Sequence, residues 1–343
     1  VVRRRVEEGG GAPDDRAVAR LAKAPDIKGW VDLHWPAVTA KAVVLRLLTN
    51  ASVLAECGAG VLTEDEQRLL LRVPPASPGS AKWSVPDAFL IDEVTGLLDR
   101  APTFGHVVVD EAQDLSAMQC RALARRCPTG SATILGDLAQ ATADGAVADW
   151  ERTLVLLGQQ DGHTVALTRG YRVPAEVLDF ANRLLPSLGV DVAAATSLRH
   201  APGSLRVRQA AHPAVEVARA VRELLDLPGS IGVIGTDEQL AAARAALRTD
   251  GVEVDVVEHG MEARVTLVPV SLCKGLEFDH VVVAEPAAIV EQHSRGLNWL
   301  YVALTRAVTT LTVVHSQPLP PPLTVTKSPL SEAWVLGVVA TPE

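Results

Sequence analysis

The chain is short of aromatic rings, cysteines, long apolar runs and positive charge. Phe, Trp and Tyr make up 3% of its 343 residues, which leaves little for a surface that grips nucleic acid by stacking bases on successive rings. Its four cysteines, Cys57, Cys120, Cys127 and Cys273, stand far apart without C-x-x-C or Cys/His spacing, so they read as reduced thiols rather than a disulfide frame or a zinc site. No stretch approaches the roughly 18 to 20 uninterrupted apolar residues a membrane span needs. Arg3, Arg4 and Arg5 lead into Val6, Glu7 and Glu8 instead of a signal core, so the chain reads as cytoplasmic, with no membrane partner. A net charge of -9 excludes a broad cationic grip on duplex DNA, because phosphate neutralisation dominates such binding. A local basic groove stays open.

What is present is a globular composition, 48% apolar and 21% charged, in a chain long enough for two domains with real cores. From about residue 37 to 100 the pattern is helical. Val43, Val44, Leu47 and Leu48 recur at helix spacing, and residues 63–66 look like a capped start for the run Leu69, Leu70, Leu71. Pro74, Pro75, Pro78 and Gly79 break the pattern. A second helix is expected over 86–98, with Ser84 as its cap and an end near Gly105. A packed helical region without chemistry is the expectation there.

After Gly105 short apolar runs alternate with helix-length segments. Strands are expected at 106–109, 132–135, 205–207, 231–234, 252–256, 265–270, 280–283 and 311–314, with helices at 117–126, 214–225, 238–247 and 297–307 between them. Strand, helix, strand is the signature of a parallel α/β sheet, here in two blocks meeting near 158–168. Pro318, Pro320, Pro321 and Pro322 predict an extended, polyproline-like exit. No internal repeat is evident.

The sharpest local feature is Val107-Val108-Val109-Asp110-Glu111-Ala112-Gln113-Asp114, two adjacent carboxylates at the exit of a buried strand. Strand ends are where an open α/β sheet places its ligands. There one carboxylate can hold Mg²⁺ while its neighbour polarises a water. Gly136-Asp137-Leu138-Ala139-Gln140 closes the neighbouring strand. Then come Tyr171-Arg172-Val173-Pro174, Lys274-Gly275-Leu276-Glu277-Phe278-Asp279 and residues 300–307, Leu-Tyr-Val-Ala-Leu-Thr-Arg-Ala. Two arginines near loop or helix positions suit multidentate contact with phosphate.

In this order the motifs closely resemble the second half of a superfamily one helicase of the UvrD/Rep type, over roughly residues 104–316. The resemblance implies two RecA-like P-loop NTPase domains with parallel sheets, the first incomplete, preceded by a helical region. Residues 1–100 would be that region, the end of a family-specific insertion plus the start of the first domain. Residues 101–160 would complete the first RecA-like domain, 161–316 would form the second, and 317–343 a Pro-rich tail. It further implies ATP and Mg²⁺ as cofactors, with Asp110 as metal ligand and Glu111 as water activator. Gln140 would sense the γ-phosphate, Arg172 and Arg306 would reach the triphosphate, and Glu277 would contact the ribose. Asp137 and Gly275 belong to the same implied nucleotide-binding set.

A complete enzyme of this kind needs a G-x-x-x-x-G-K-[ST] loop to cradle phosphates. The sequence has none. Gly79-Ser80-Ala81-Lys82 lacks the first glycine and the hydroxyl residue after the lysine. The expectation is a C-terminal portion of a longer protein whose N-terminal half carries that loop, with the chain alone binding ATP poorly. Residues 141–146, Ala-Thr-Ala-Asp-Gly-Ala, offer no stacking ring before Trp150, unlike typical DNA-walking relatives. The wording at 110–116, 136–140 and 274–283 looks most like the HelD class of RNA polymerase recycling ATPases, which makes RNA polymerase the expected partner, with DNA as a further one. Gly170 stands where the wider family commonly has Asn. Two alternatives remain: a fragment of a UvrD-type DNA repair helicase, and a binding module without turnover.

Overall fold

The computed structural model describes residue 4 and residues 7–10, 15–76, 78–147 and 149–324. The tail expected beyond Thr324 lies outside the described residues. Two compact units are present: residues up to Phe104 together with Arg121–Pro128, and Gly105–Cys120 together with Thr129 onward.

The first unit is helical. Helices α1 (Asp15–Ala22), α2 (Pro25–His34), α3 (Ala40–Thr49), α4 (Ala51–Gly58), α5 (Glu64–Leu70) and α6 (Val85–Leu98) follow one another. The two expected caps are there. Thr63 Oγ1 accepts the Glu66 N–H while Glu66 accepts the Thr63 N–H at 2.8 Å, and Ser84 and Asp87 form the same reciprocal box at α6. Helix α6 ends at Leu98, short of the expected Gly105. Asp87 is also gripped by both terminal nitrogens of Arg72, at 2.7 and 2.8 Å, which ties the start of α6 to the chain leaving α5. The C-terminal half of helix α7 (Ala117–Arg126) belongs to this unit: Arg121 and Arg125 pair with Glu93, and Arg125 and Arg126 with Asp92.

The second unit is α/β. Strands β1 (Val107–Val109) and β2 (Ala132–Ile134) pair in parallel, and helix α8 (Trp150–Leu156) follows. Short strands β3 (Arg169–Gly170) and β4 (Thr196–Ser197) flank α9 (Ala175–Asn182) and pair with each other. Then β5 (Leu205–Gln209), α10 (Pro213–Leu225), β6 (Ile231–Gly235), α11 (Asp237–Thr249), β7 (Asp255–Val256), β8 (Val265–Pro269), β9 (Phe278–Ala284), α12 (Pro286–Gln292), α13 (Gly296–Leu304), β10 (Ala307–His315) and α14 (Pro321–Thr324) complete the described chain. The larger sheet has the order β5-β10-β9-β6-β8-β7 with every pairing parallel. This parallel six-stranded sheet, preceded by a helical region, agrees with a RecA-like domain.

Why these residues make that sheet is visible in β9. Val281 and Val283 enter one apolar cluster with Phe180, Leu184, Leu300 and Leu304, whereas Val282 and Ala284 enter the other with Val221, Leu224, Leu240 and Leu247. Alternate residues of a strand face opposite sides, so a strand covered by helices on both faces must be apolar throughout. Each fully buried valine contributes about 1.5 to 3 kcal/mol. Among the described residues no helix is long and apolar enough to cross a membrane.

Three expectations need correction. The helix expected over 297–307 stops at Leu304, and Ala307 already begins β10. The strand expected at 252–256 has ladder partners only at Asp255 and Val256, although Val252 and Val254 pack on the core. Of the expected extended Pro stretch, Pro321–Thr324 is instead a helical turn with Leu323 buried, because proline is tolerated where helix N–H groups have no partner anyway.

Candidate nucleotide site

The site is built at the exits of β1 and β2 and along the segments around β9 and α13. Beyond β1 the chain turns sharply: Glu111 has φ 53 and ψ 34, the left-handed region that a non-glycine residue enters at a cost of about 1 to 3 kcal/mol. The Asp110 carboxylate accepts the Glu111 N–H at 2.9 Å and is otherwise exposed. Gln113, fully buried, holds the two strand exits together: its Nε2 donates to Glu111 Oε2 at 2.6 Å and its Oε1 accepts the Asp137 N–H at 3.1 Å. Gly136 is required by this packing, since a Cβ there would lie 2.4 Å from Gln113 Oε1 and 2.8 Å from the Trp150 ring.

Asp137 spends both carboxylate oxygens within its own turn, accepting the Ala139 N–H at 2.9 Å and Gln140 Nε2 at 2.8 Å. That fixes the Gln140 amide with its oxygen outward, where Arg306 Nη2 donates to it at 2.9 Å. Arg306 is buried to 4% exposure and also donates to the carbonyls of Val302 and Leu276. Burial pulls its pKa below the ordinary arginine value, and the nearby Arg172 charge acts in the same direction, while Cys273, Glu277 and Glu111 oppose it. Burial likewise pushes the Cys273 thiol up to about 12, against the pull of Arg306.

Arg172 and Glu277 form an ion pair. Neither has a hydrogen bond to Asp110, Glu111 or Gln140 among the described residues; they form a second, more exposed group beside Arg306. Gly275, at φ 78, supplies the left-handed turn between Lys274 and β9.

Two residues without an assigned role in the sequence reading prove central. Lys274 Nζ donates to Asp114 and to the Gln140 carbonyl at 2.9 Å and lies 3.3 Å from Glu111 Oε2. Asp114 in turn accepts the N–H groups of Thr142 and Ala143 at 2.9 and 3.1 Å. The signal for Lys274 was its isolation as the sole lysine between Lys82 and Lys327. The segment after Gln140 is further held by Arg295, which donates to the carbonyls of Ala141 and Ala146, by Ser294 on Asp144 and by Asn298 on the Ala139 carbonyl.

The donor set suits Mg²⁺ bound with a phosphate ligand. No cluster of three or more metal-ligating side chains exists among the described residues, and the exposed Asp110 carboxylate offers the one or two oxygens that Mg²⁺ takes from a protein when phosphates and water supply the rest.

Comparison with known proteins adds the following. Among solved structures, the C-terminal domain of a possible DNA helicase from Lactobacillus plantarum WCFS1 is similar at 25% identity, covering 45% of this chain and 92% of that one with a TM-score of 0.36. No curated protein matches the chain. Residues 264–314, the segment that carries Lys274, Gly275, Glu277 and Arg306, match the UvrD-like helicase C-terminal domain.

Proposed function

We propose that the chain forms the acid- and arginine-bearing portion of a helicase-like ATPase, in which ATP hydrolysis is coupled to movement of the β1–β2 segment against the six-stranded sheet. The observation that carries this reading is the bond from Arg306 to Gln140, reinforced by Lys274 bridging to Glu111 and Asp114. Phosphoryl transfer is catalysed mainly by positioning and charge stabilisation, and such sites need carboxylates and guanidinium groups on a common cleft. Asp110 would hold Mg²⁺, which when bound neutralises charge on the phosphates. Glu111 would orient and deprotonate the attacking water, Gln140 would relay the state of the γ-phosphate to Arg306, and Arg172 and Arg306 would stabilise the charge of the transferring group. Because Gln140 contacts both Asp137 and Arg306, a change at the phosphate is transmitted directly between the two sheets.

The finer reading is an ATPase that acts on RNA polymerase complexes, supported by the motif wording and by Trp150. That ring packs over Gly136 and is no free platform for a base, while residues 141–146 are held by Asp114, Arg295 and Ser294. A strand-walking repair helicase needs stacking rings in this position.

The test uses the protein as its gene encodes it. Wild type should hydrolyse Mg²⁺-ATP, Glu111→Gln should abolish turnover while keeping nucleotide binding, and purified RNA polymerase should be retained by the protein. Absence of both binding and hydrolysis by wild type refutes the ATPase reading. Strong stimulation by single-stranded DNA without polymerase retention replaces the polymerase reading with the repair one.

A further inference from the structure

Arg172 and Arg306 lie 134 positions apart in the chain, yet one guanidinium joins the backbones that carry them. Arg199 Nη1 donates to the carbonyl of Arg172 at 2.9 Å and to the carbonyl of Val308, two residues beyond Arg306. The second acceptor is free for a definite reason. The β10–β9 register shifts between Ala307 and Thr310, so Val308 and Thr309 together oppose Asp279. A bulge of this kind takes a carbonyl out of the ladder, and a buried or half-buried carbonyl needs a donor from elsewhere.

Arg199 is itself rigidly mounted. Its N–H donates to Ser197 Oγ at 3.1 Å, its carbonyl accepts the Ala175 N–H at 3.0 Å, and Ser197 Oγ donates to the Val173 carbonyl at 2.6 Å. The Leu198 N–H donates to the Gly170 carbonyl at 2.9 Å. The carbonyls of residues 170, 172 and 173 are therefore all held by residues 197–199, and the Arg172 loop has little freedom apart from this mount.

We propose that Arg199 is a positioning residue that sets the spacing between Arg172 and Arg306, so that the two guanidinium groups meet a phosphate chain as one unit. This rests on the ATPase reading above. Arg172 and Arg306 carry like charge and, left to themselves, would separate; Glu277 supplies a counter-charge to Arg172, and Arg199, itself a cation, restrains the two backbones through its hydrogen bonds. Arg199 makes both bonds from the same nitrogen, so one ammonium at that point can replace it. Glutamine also carries two N–H donors on one nitrogen, but that nitrogen lies two bonds nearer the backbone and falls short of the carbonyls, and alanine has no donor.

The experiment measures kcat and KM for ATP in the protein as its gene encodes it, with Arg199→Lys, Arg199→Gln and Arg199→Ala beside Arg172→Ala and Arg306→Ala. Displacing a catalytic group by about 1 Å costs on the order of 100-fold in rate. Arg199→Ala and Arg199→Gln should lower kcat by about 10- to 100-fold with KM changed far less, and Arg199→Lys should restore kcat to within about threefold of wild type. Hydrogen exchange over residues 171–174 should rise in Arg199→Ala and return to the wild-type level in Arg199→Lys. Unchanged kcat in Arg199→Ala, while Arg172→Ala and Arg306→Ala are impaired, overturns the positioning role alone. A lysine variant no better than alanine does the same. Wild-type turnover in Arg172→Ala and Arg306→Ala overturns the ATPase reading and this inference with it.

Discussion

Arg306 donates from Nη2 to Oε1 of Gln140 at 2.9 Å, joining two residues that are 166 positions apart. The bond links the exit of β2 to the segment between α13 and β10, and it is made by an arginine that is almost wholly buried. A buried guanidinium must have its donors satisfied, and here two carbonyls, a hydroxyl and the Gln140 amide do so. Gln140 is therefore part of the reason Arg306 can sit where it does.

Replacing Arg306 by alanine should lower ATP turnover by about 10³ to 10⁵, the range for loss of an arginine finger. Arg306→Lys should recover little, since a point charge cannot reach all of those acceptors. Steady-state hydrolysis by the full gene product is the measurement, and a loss of less than tenfold contradicts the assigned role.

Lys274 gives a prediction about stability. Its side chain is 16% exposed, and its ammonium bridges Asp114, Glu111 and the Gln140 carbonyl. Lys274→Met should lower unfolding stability by about 1 to 3 kcal/mol, because the carboxylates stay behind without their counter-ion. An unchanged urea midpoint, with unchanged slope, would mean that the bridge contributes nothing in solution.

The helical unit should carry its own acid sensitivity. The Arg72 guanidinium beside Asp87 holds that carboxyl down at about 2, with Ser84 assisting and burial opposing. A carboxyl lowered on folding adds stability that is complete above the ordinary value near 4 and disappears as pH falls toward the folded value. The contribution is about 2 kcal/mol. Unfolding stability followed by circular dichroism should fall between about pH 4 and 2 in wild type, and Asp87→Asn should be less stable at pH 7 and lose less on acidification, keeping only the share due to Glu66 and Glu93, which are also lowered.

Thiol chemistry should divide the cysteines. Cys57 is exposed, and Cys120, Cys127 and Cys273 are buried, with Cys120 and Cys273 both raised by burial. Mass spectrometry after iodoacetamide at pH 8 should show Cys57 modified in the native protein and the other three modified only in urea. Native labelling of Cys273 would show that the Arg306 environment opens freely.

Much of this architecture was readable in the amino acids. The valine run of β9 is buried by neighbours on both sides, so its apolar continuity is the strand signal itself; the run of β1 forms a strand too, but Val108 is 65% exposed and the burial expected of it is not found. Caps at Thr63 and Ser84 are local hydrogen bonds and were equally plain. The end of α13 was not, because Ala307 favours a helix and only the pairing of β10 with β9 overrides it. The acidic pair and both arginines stood out as motif residues. Lys274, Asp114 and Arg199 acquire their roles from partners 27 to 163 residues distant, and no local pattern announces such partners.

The strain at Glu111 and the bonds its carboxylate makes belong to a single codon. Glycine there would relieve the turn by about 1 kcal/mol but would strip the buried Gln113 amide and the Lys274 ammonium of an acceptor. Glu111→Gly should therefore melt no higher than the wild type while losing turnover. A left-handed turn that costs energy persists at this codon because the carboxylate it carries is what both donors require.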